Sequence, residues 1–142
     1  MTNKIRALTE PASVAMTANQ ITAALLVEIP KKFPDSICWR NNTGSGVGMG
    51  SVRAAIACLK RNDCKGALGH LVRPVSFGLV GSSDILVLLG PAGRLAGVEV
   101  KAEGDRQSSG QAAWAARVRA LGGIYVVARD VEGCLRELGG LL

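Results

Sequence analysis

The sequence predicts a single α/β domain in which a mixed β-sheet is flanked by helices. A hairpin of two apolar strands is expected at residues 85–89 and 94–101. A helix, a strand and a second helix are expected to follow at 111–121, 124–128 and 130–138. A chain of 142 residues with 48% apolar content can bury one ordinary core, so one domain is expected.

The N-terminal part of this domain is predicted to contain one helix and one strand. Residues 1–16 are interpreted as a flexible lead-in, and the domain proper spans 17–142. Thr17 or Asn19 can cap a helix, which we expect to end at Pro30. A strand at residues 37–40 follows.

An insertion is predicted at about residues 45–70, with a short helix at 52–60. Its four basic residues form either a DNA-facing arm, a subunit contact or a solvated surface. These are Arg53, Lys60, Arg61 and Lys65. The glycine-rich loop at 41–50 lacks the Gly-Lys-Ser/Thr sequence of a phosphate-binding loop, so no nucleotide cofactor is expected.

The hairpin carries the candidate chemistry. Asp84 stands directly before the first strand, and Gly90-Pro91-Ala92-Gly93 provides the turn. Because side chains alternate along a strand, Glu99 and Lys101 are predicted to share the face opposite Val100.

Two carboxylates beside an ammonium group suit phosphodiester chemistry. Mg²⁺ or Mn²⁺ prefers oxygen ligands, which Asp84, Glu99 and the Val100 carbonyl can supply. Lys101 would then lie beside the scissile phosphate, where it can orient the attacking water or help to deprotonate it. The alternative is that Glu99 and Lys101 form an ordinary surface ion pair.

The order of these residues resembles a known nuclease superfamily. Ser83-Asp84, Glu99-Val100-Lys101 and then Gln111 are similar to the PD-(D/E)xK pattern, and specifically to its VRR-NUC branch of virus-type replication and repair nucleases. The wider resemblance takes in residues 40–44, 77–84, 97–101, 107–111 and 122–127.

The resemblance implies a restriction-endonuclease-like fold and a metal-dependent DNA endonuclease, with in-line attack by a metal-activated water. It makes Asp84 and Glu99 metal ligands, Lys101 the catalytic lysine and Gln111 a helix-borne polar residue of the site. It also implies a homodimer acting in DNA repair on branched or flapped DNA, such as Holliday junctions.

One departure from the family pattern concerns the first helix. Family members usually carry a glutamate early in this helix, whereas residues 17–21 contain no acid. Either Gln20 or Asn19 takes its place through a water, or the first helix contributes nothing to the metal. Glu28 is a further, weaker candidate.

Charge and sequence context agree with a nucleic-acid partner. Lysine and arginine number 17 against 11 acids, a net charge of +6, which favours a polyanion. Arg40, Asn41, Asn42 and Arg106 are the candidate DNA contacts, and Arg94 is also placed near the site.

The remaining features favour a cytoplasmic protein of a bacterial or phage-infected cell. The four cysteines lack zinc-site spacing and are predicted to be reduced, and no signal peptide or membrane span is evident. Two other functions stay open. One is a catalytically silent DNA-binding module of the same fold, and the other is a protein-interaction subunit.

Overall fold

The computed structural model of the chain describes residues 15–72 and 74–142. Within these residues the chain forms five helices and six strands. In chain order they are α1 (Ala18–Lys32), β1 (Ser36–Arg40), β2 (Gly44–Gly46), α2 (Met49–Leu59), α3 (Cys64–Leu71), β3 (Val75–Phe77), β4 (Ile85–Leu89), β5 (Arg94–Val100), α4 (Ser109–Ala120), β6 (Ile124–Ala128) and α5 (Val131–Gly140).

The central sheet has the strand order β1-β4-β5-β6. Strands β4 and β5 form the predicted antiparallel hairpin, and β1 is antiparallel to β4. Strand β6 is parallel to β5 because α4 carries the chain back along the sheet between them. The predicted mixed α/β architecture is therefore confirmed, and it is consistent with a restriction-endonuclease-like fold.

The two faces of the sheet are packed differently. On one face, alternate residues of β4, β5 and β6, such as Val87, Val98 and Val126, pack with apolar residues of α1 and α5 to form the main core. On the other face, α4 packs its residues Ala115 and Val118 against Tyr125 of β6. The odd-numbered positions of β5, Glu99 included, lie on this second face, as the strand period predicts.

Two helix boundaries follow from side-chain caps that the sequence predicts. Thr17 caps α1 and accepts a hydrogen bond from the Gln20 backbone N–H, and Asp130 caps α5 in the same manner through Gly133. Helix α4 begins at Ser109, two residues before the predicted start, because Ser108 provides its cap.

The prediction that Pro30 ends the first helix is wrong, since α1 continues to Lys32. Proline lacks the N–H that would reach the carbonyl four residues earlier, which is that of Leu26. The Cys38 thiol of β1 donates to this Leu26 oxygen at 3.6 Å. The neighbouring strand thus supplies a partner for the carbonyl, and burial of Ile29 holds the last turn in place.

The stretch predicted as an insertion contains more structure than expected. Helices α2 and α3 pack against each other through Ala55, Cys58 and Ala67, and the short strands β2 and β3 pair with each other. Helix α3 and both of these strands were not predicted. The flexible lead-in stays a prediction because residues 1–14 lie outside the described part of the chain, and the interpretation of 45–70 as an insertion also stays a prediction.

Several large apolar side chains remain exposed. On β1, Ile37 is 66% exposed and Trp39 is 44% exposed, on a face that Leu88 and Leu95 continue. Helices α2 and α3 expose Ile56, Leu59 and Leu68. Among the described residues, no helix is both long and apolar enough to cross a membrane.

Candidate active site

The candidate site lies where β4 begins and β5 ends. Asp84 immediately precedes β4, and the hairpin register pairs its neighbour Ile85 with Val98, which brings Asp84 beside Glu99. The Asp84 Oδ2 atom accepts a hydrogen bond from the Val100 backbone N–H at 2.8 Å. One oxygen of this carboxylate therefore anchors it to the end of β5.

Glu99 is the centre of the arrangement. Its side chain is fully buried. The Oε1 atom forms an ion pair with the Lys101 ammonium at 2.9 Å and accepts a hydrogen bond from the Nε2 amide of Gln111. The other oxygen, Oε2, is buried without a hydrogen-bond partner among the described residues. Such an orphaned carboxylate oxygen is costly to bury unless it binds something.

The surroundings of Glu99 also shift the pKa of its carboxyl group. Burial raises the pKa of the Glu99 carboxyl, and the negative charge of Asp84 raises it further, while the hydrogen bond from Lys101 lowers it. The net shift is upward. Lys101 therefore compensates only part of the cost of ionising Glu99.

A divalent cation fits these residues. Mg²⁺ keeps several waters and is commonly held by one or two carboxylates plus substrate phosphate, so a third acidic side chain is not required. Within the described residues, no group of three or more histidine, cysteine or acidic side chains lies together. The unpartnered Oε2 of Glu99 and the adjacent Asp84 carboxylate are hard oxygen donors of the appropriate kind. Val100 is the last residue of β5, and its backbone lies beside the Asp84 carboxylate.

Gln111 has two roles, one of which the sequence analysis missed. Its Oε1 accepts from the Ser108 backbone N–H at 2.8 Å and closes a capping box at the start of α4. This contact orients the amide so that Nε2 is turned towards Glu99. The Ser-x-x-Gln spacing at residues 108–111 is a signal that predicts such a cap.

The segment before Asp84 is held from two sides. The Asn41 side-chain Nδ2 donates to Ser82 Oγ at 2.7 Å and to the Ser83 carbonyl at 2.9 Å, and its backbone N–H donates to the Asp84 carbonyl. From the other side, the Trp114 indole N–H donates to the hydroxyl of the fully buried Ser83 at 3.1 Å. No local sequence signal links these residues, because the contacts span 31 to 43 positions.

The predicted DNA contacts are placed differently from one another. Asn41 turns its amide inward, as just described. Arg40 is exposed and donates to Asn19 Oδ1 of α1 at 3.2 Å. Asn42 and Arg106 are exposed residues in the loops that follow β1 and β5. Their roles in DNA binding stay predictions.

Arg94 was expected near the site, and this is wrong. It is the first residue of β5, whereas Glu99 is close to the end of that strand. Its guanidinium donates to the Gly122 and Leu141 carbonyls at 2.8 and 2.7 Å. Arg94 therefore ties the turn end of the hairpin to the C-terminal segment.

The first-helix candidates have other partners. Gln20 uses its Oε1 in the α1 capping box, where the Thr17 backbone N–H donates to it at 2.8 Å. Asn19 accepts from Arg40. Glu28 forms an exposed ion pair with Lys31 at 2.7 Å.

All four cysteines are free thiols in the structure. Cys58 and Cys134 are buried, Cys38 is partly buried and Cys64 is exposed. Burial is the main cause that raises the pKa of the Cys134 thiol to about 12. The single histidine, His70, is an exposed residue of α3.

Comparison with known families gives one match and two negative results. Neither the curated proteins nor the solved structures that were compared include a match to the chain. The family model of the VRR-NUC domain matches residues 16–131, a span that includes Asp84, Glu99, Lys101 and Gln111. Since this match covers most of the sequence, the chain belongs to the VRR-NUC domain family.

Proposed function

We propose that the protein is an Mg²⁺- or Mn²⁺-dependent endonuclease that hydrolyses phosphodiester bonds in branched or flapped DNA. Membership in the VRR-NUC family implies a nuclease-type domain with DNA as its partner. The observation that supports the metal-dependent activity is the buried Oε2 atom of Glu99, which has no protein partner in the described residues and lies beside a second carboxylate.

The chain's own residues have distinct parts in this proposal. Asp84 and Glu99 would hold the cation, with the Val100 backbone beside them. When bound, the cation supplies Lewis acidity that polarises the phosphate and lowers the pKa of water. Lys101 holds a positive charge next to Glu99, where it offsets the negative charge that grows on the phosphate oxygens and orients the attacking water. Gln111 keeps Glu99 in position from α4.

The surroundings of the site are suited to a polyanion. Arg40 and Arg106 are exposed, Arg40 next to Asn41, whose backbone contacts Asp84, and Arg106 in the loop between Lys101 and α4. Contacts between basic side chains and DNA phosphates position the DNA without reading its sequence. The family resemblance supports structured DNA as the substrate.

We also propose that the protein acts as a homodimer. The family resemblance supports this, and so do the exposed apolar side chains on β1, α2 and α3. Light scattering coupled to size-exclusion chromatography is expected to give twice the chain mass of 14.7 kDa. A mass of one chain at micromolar concentration would contradict the dimer.

Cleavage of branched, flapped, single-stranded and linear duplex DNA tests the activity. We expect cutting with Mg²⁺ or Mn²⁺ that EDTA stops, and that Asp84→Asn and Lys101→Ala both slow by about 100-fold or more. If the intact protein binds these substrates without cutting any of them in either metal, it is instead the catalytically silent DNA-binding module of the same fold.

A further inference from the structure

Ser83 occupies a closed position between the sheet and α4. It is fully buried directly before Asp84, and its hydroxyl accepts the Trp114 indole N–H at 3.1 Å. On its other side lies Gly97 of β5, where an added Cβ would overlap the Ser83 hydroxyl. The side chain of Ser83 therefore fits only because position 97 is glycine and because Trp114 supplies a donor.

The same contact connects the elements that carry the site. Asp84 follows Ser83 in the chain, Glu99 lies two residues beyond Gly97 on the same face of β5, and Gln111 lies one helical turn before Trp114 on α4. A displacement of Ser83 would thus move Asp84 relative to Glu99 and Gln111. The nearby Gly81 also touches α4, since a Cβ there would lie 2.8 Å from the Gly110 backbone.

We propose that Ser83 and Trp114 are positioning residues of the nuclease site, which set the separation of the Asp84 and Glu99 carboxylates through the indole hydrogen bond between α4 and the loop before β4. This inference rests on the proposed function, because the role assigned to Ser83 and Trp114 is to shape the metal site. Neither residue is among those that would hold the cation.

Trp114→Phe provides the test, since it keeps an aromatic ring and removes the indole N–H. Calorimetric titration with Mn²⁺ should show a Kd raised by about 10- to 100-fold, the usual effect of losing a group that supports metal ligands. DNA cleavage at subsaturating Mn²⁺ should show a lower kcat with an unchanged KM for DNA. The other tryptophan, Trp39 of β1, provides the matched control, and Trp39→Phe should bind Mn²⁺ as the wild type does.

Ser83→Ala removes the acceptor of the same hydrogen bond and gives an independent test if Trp114→Phe does not fold. Where both fold, the double variant should bind Mn²⁺ no more weakly than the weaker single variant, because both lose one shared contact. Unchanged Mn²⁺ affinity and kcat in folded Trp114→Phe or Ser83→Ala would overturn the inference alone. A wild-type protein that neither binds Mn²⁺ nor cuts DNA would overturn the proposed function, and the inference with it.

Discussion

Glu99 is a fully buried ionisable residue at the centre of the proposed metal site. Its carboxylate is removed from water and is only partly compensated by Lys101 and Gln111, so its pKa is raised above the ordinary 4.5. Active sites commonly contain such residues, because a bound cation or substrate supplies the missing interaction. Stability without the cation and affinity for the cation are therefore expected to oppose each other at this position.

The sign of the pH dependence follows from the direction of the shift. A carboxyl whose pKa is raised on folding stabilises the folded protein below pH 4.5, and this contribution is lost as the pH rises through the folded pKa. Glutamine cannot ionise. In EDTA, Glu99→Gln is therefore expected to unfold at a higher temperature than the wild type at pH 7, with the difference shrinking towards pH 4.5.

A bound cation should make the wild type more stable than Glu99→Gln, which is the reverse of the order expected in EDTA. Mn²⁺ at 100 times its Kd should stabilise the wild type by about 2.7 kcal/mol and leave Glu99→Gln unchanged. Thermal unfolding with and without Mn²⁺ measures both effects. A Glu99→Gln variant that is less stable than the wild type in EDTA at pH 7 would show that Lys101 and Gln111 fully compensate the buried carboxylate.

Lys101 is expected to act on the reaction rather than on folding. Lys101→Met should lower the rate of cleavage by about 100- to 10,000-fold, the range for loss of one acid–base or charge-stabilising group. The chain offers a matched control in Lys31, which pairs with Glu28 on the exposed surface of α1. Lys31→Met should cut DNA at the wild-type rate, and equal losses in the two variants would contradict a catalytic role for Lys101.

At the scale of elements, the site depends on how closely α4 approaches the loop before β4. Gly81 and Gly104 have nearly the same left-handed backbone, with φ of +82° and +83°. They differ in surroundings, since a Cβ on Gly81 would meet the Gly110 backbone at 2.8 Å, whereas nothing lies within 4 Å of one on Gly104.

Alanine at these two glycines separates backbone strain from packing. Both variants should lose about 1–2 kcal/mol to the left-handed conformation. Gly81→Ala should lose about 1–3 kcal/mol more through overlap with α4, and it alone should also lose cleavage activity. Denaturant unfolding and the cleavage assay measure these effects. Equal stability and activity in the two variants would show that the approach of α4 does not matter.

Sequence patterns predict some features of these elements and miss others. Alternation along residues 94–101 correctly predicts that Glu99 and Lys101 share a face, because the strand period depends on local backbone geometry alone. The support around them was not predicted. The Asn41 contacts and the Ser83–Trp114 hydrogen bond join residues far apart in sequence, and so does the contact of the Cys38 thiol of β1 with the Leu26 carbonyl that Pro30 leaves without its helical donor.

At the scale of the whole molecule, the net charge of +6 predicts DNA affinity that depends on salt. The logarithm of the association constant should fall linearly with the logarithm of salt concentration, by about 0.9 for each duplex phosphate contacted. Arg106→Ala should reduce this slope by about 1 if its side chain contacts a phosphate.

Arg136, an exposed residue in α5, provides the control for Arg106. Fluorescence anisotropy with labelled DNA in EDTA separates binding from cleavage, and Arg136→Ala should keep the wild-type slope. An affinity that does not change with salt would instead favour a protein-interaction subunit, in which Glu99 and Lys101 are only an ion pair.

The Oε2 oxygen of Glu99, which has no hydrogen-bond partner among the described residues, should mark a cation site, and anomalous diffraction from crystals grown with Mn²⁺ would locate the cation. We expect an anomalous peak about 2 Å from Glu99 Oε2 and within reach of the Asp84 carboxylate, and we expect this peak to be lost in Glu99→Gln crystals. A peak elsewhere with none at Glu99, or a peak that persists unchanged in Glu99→Gln, would contradict it.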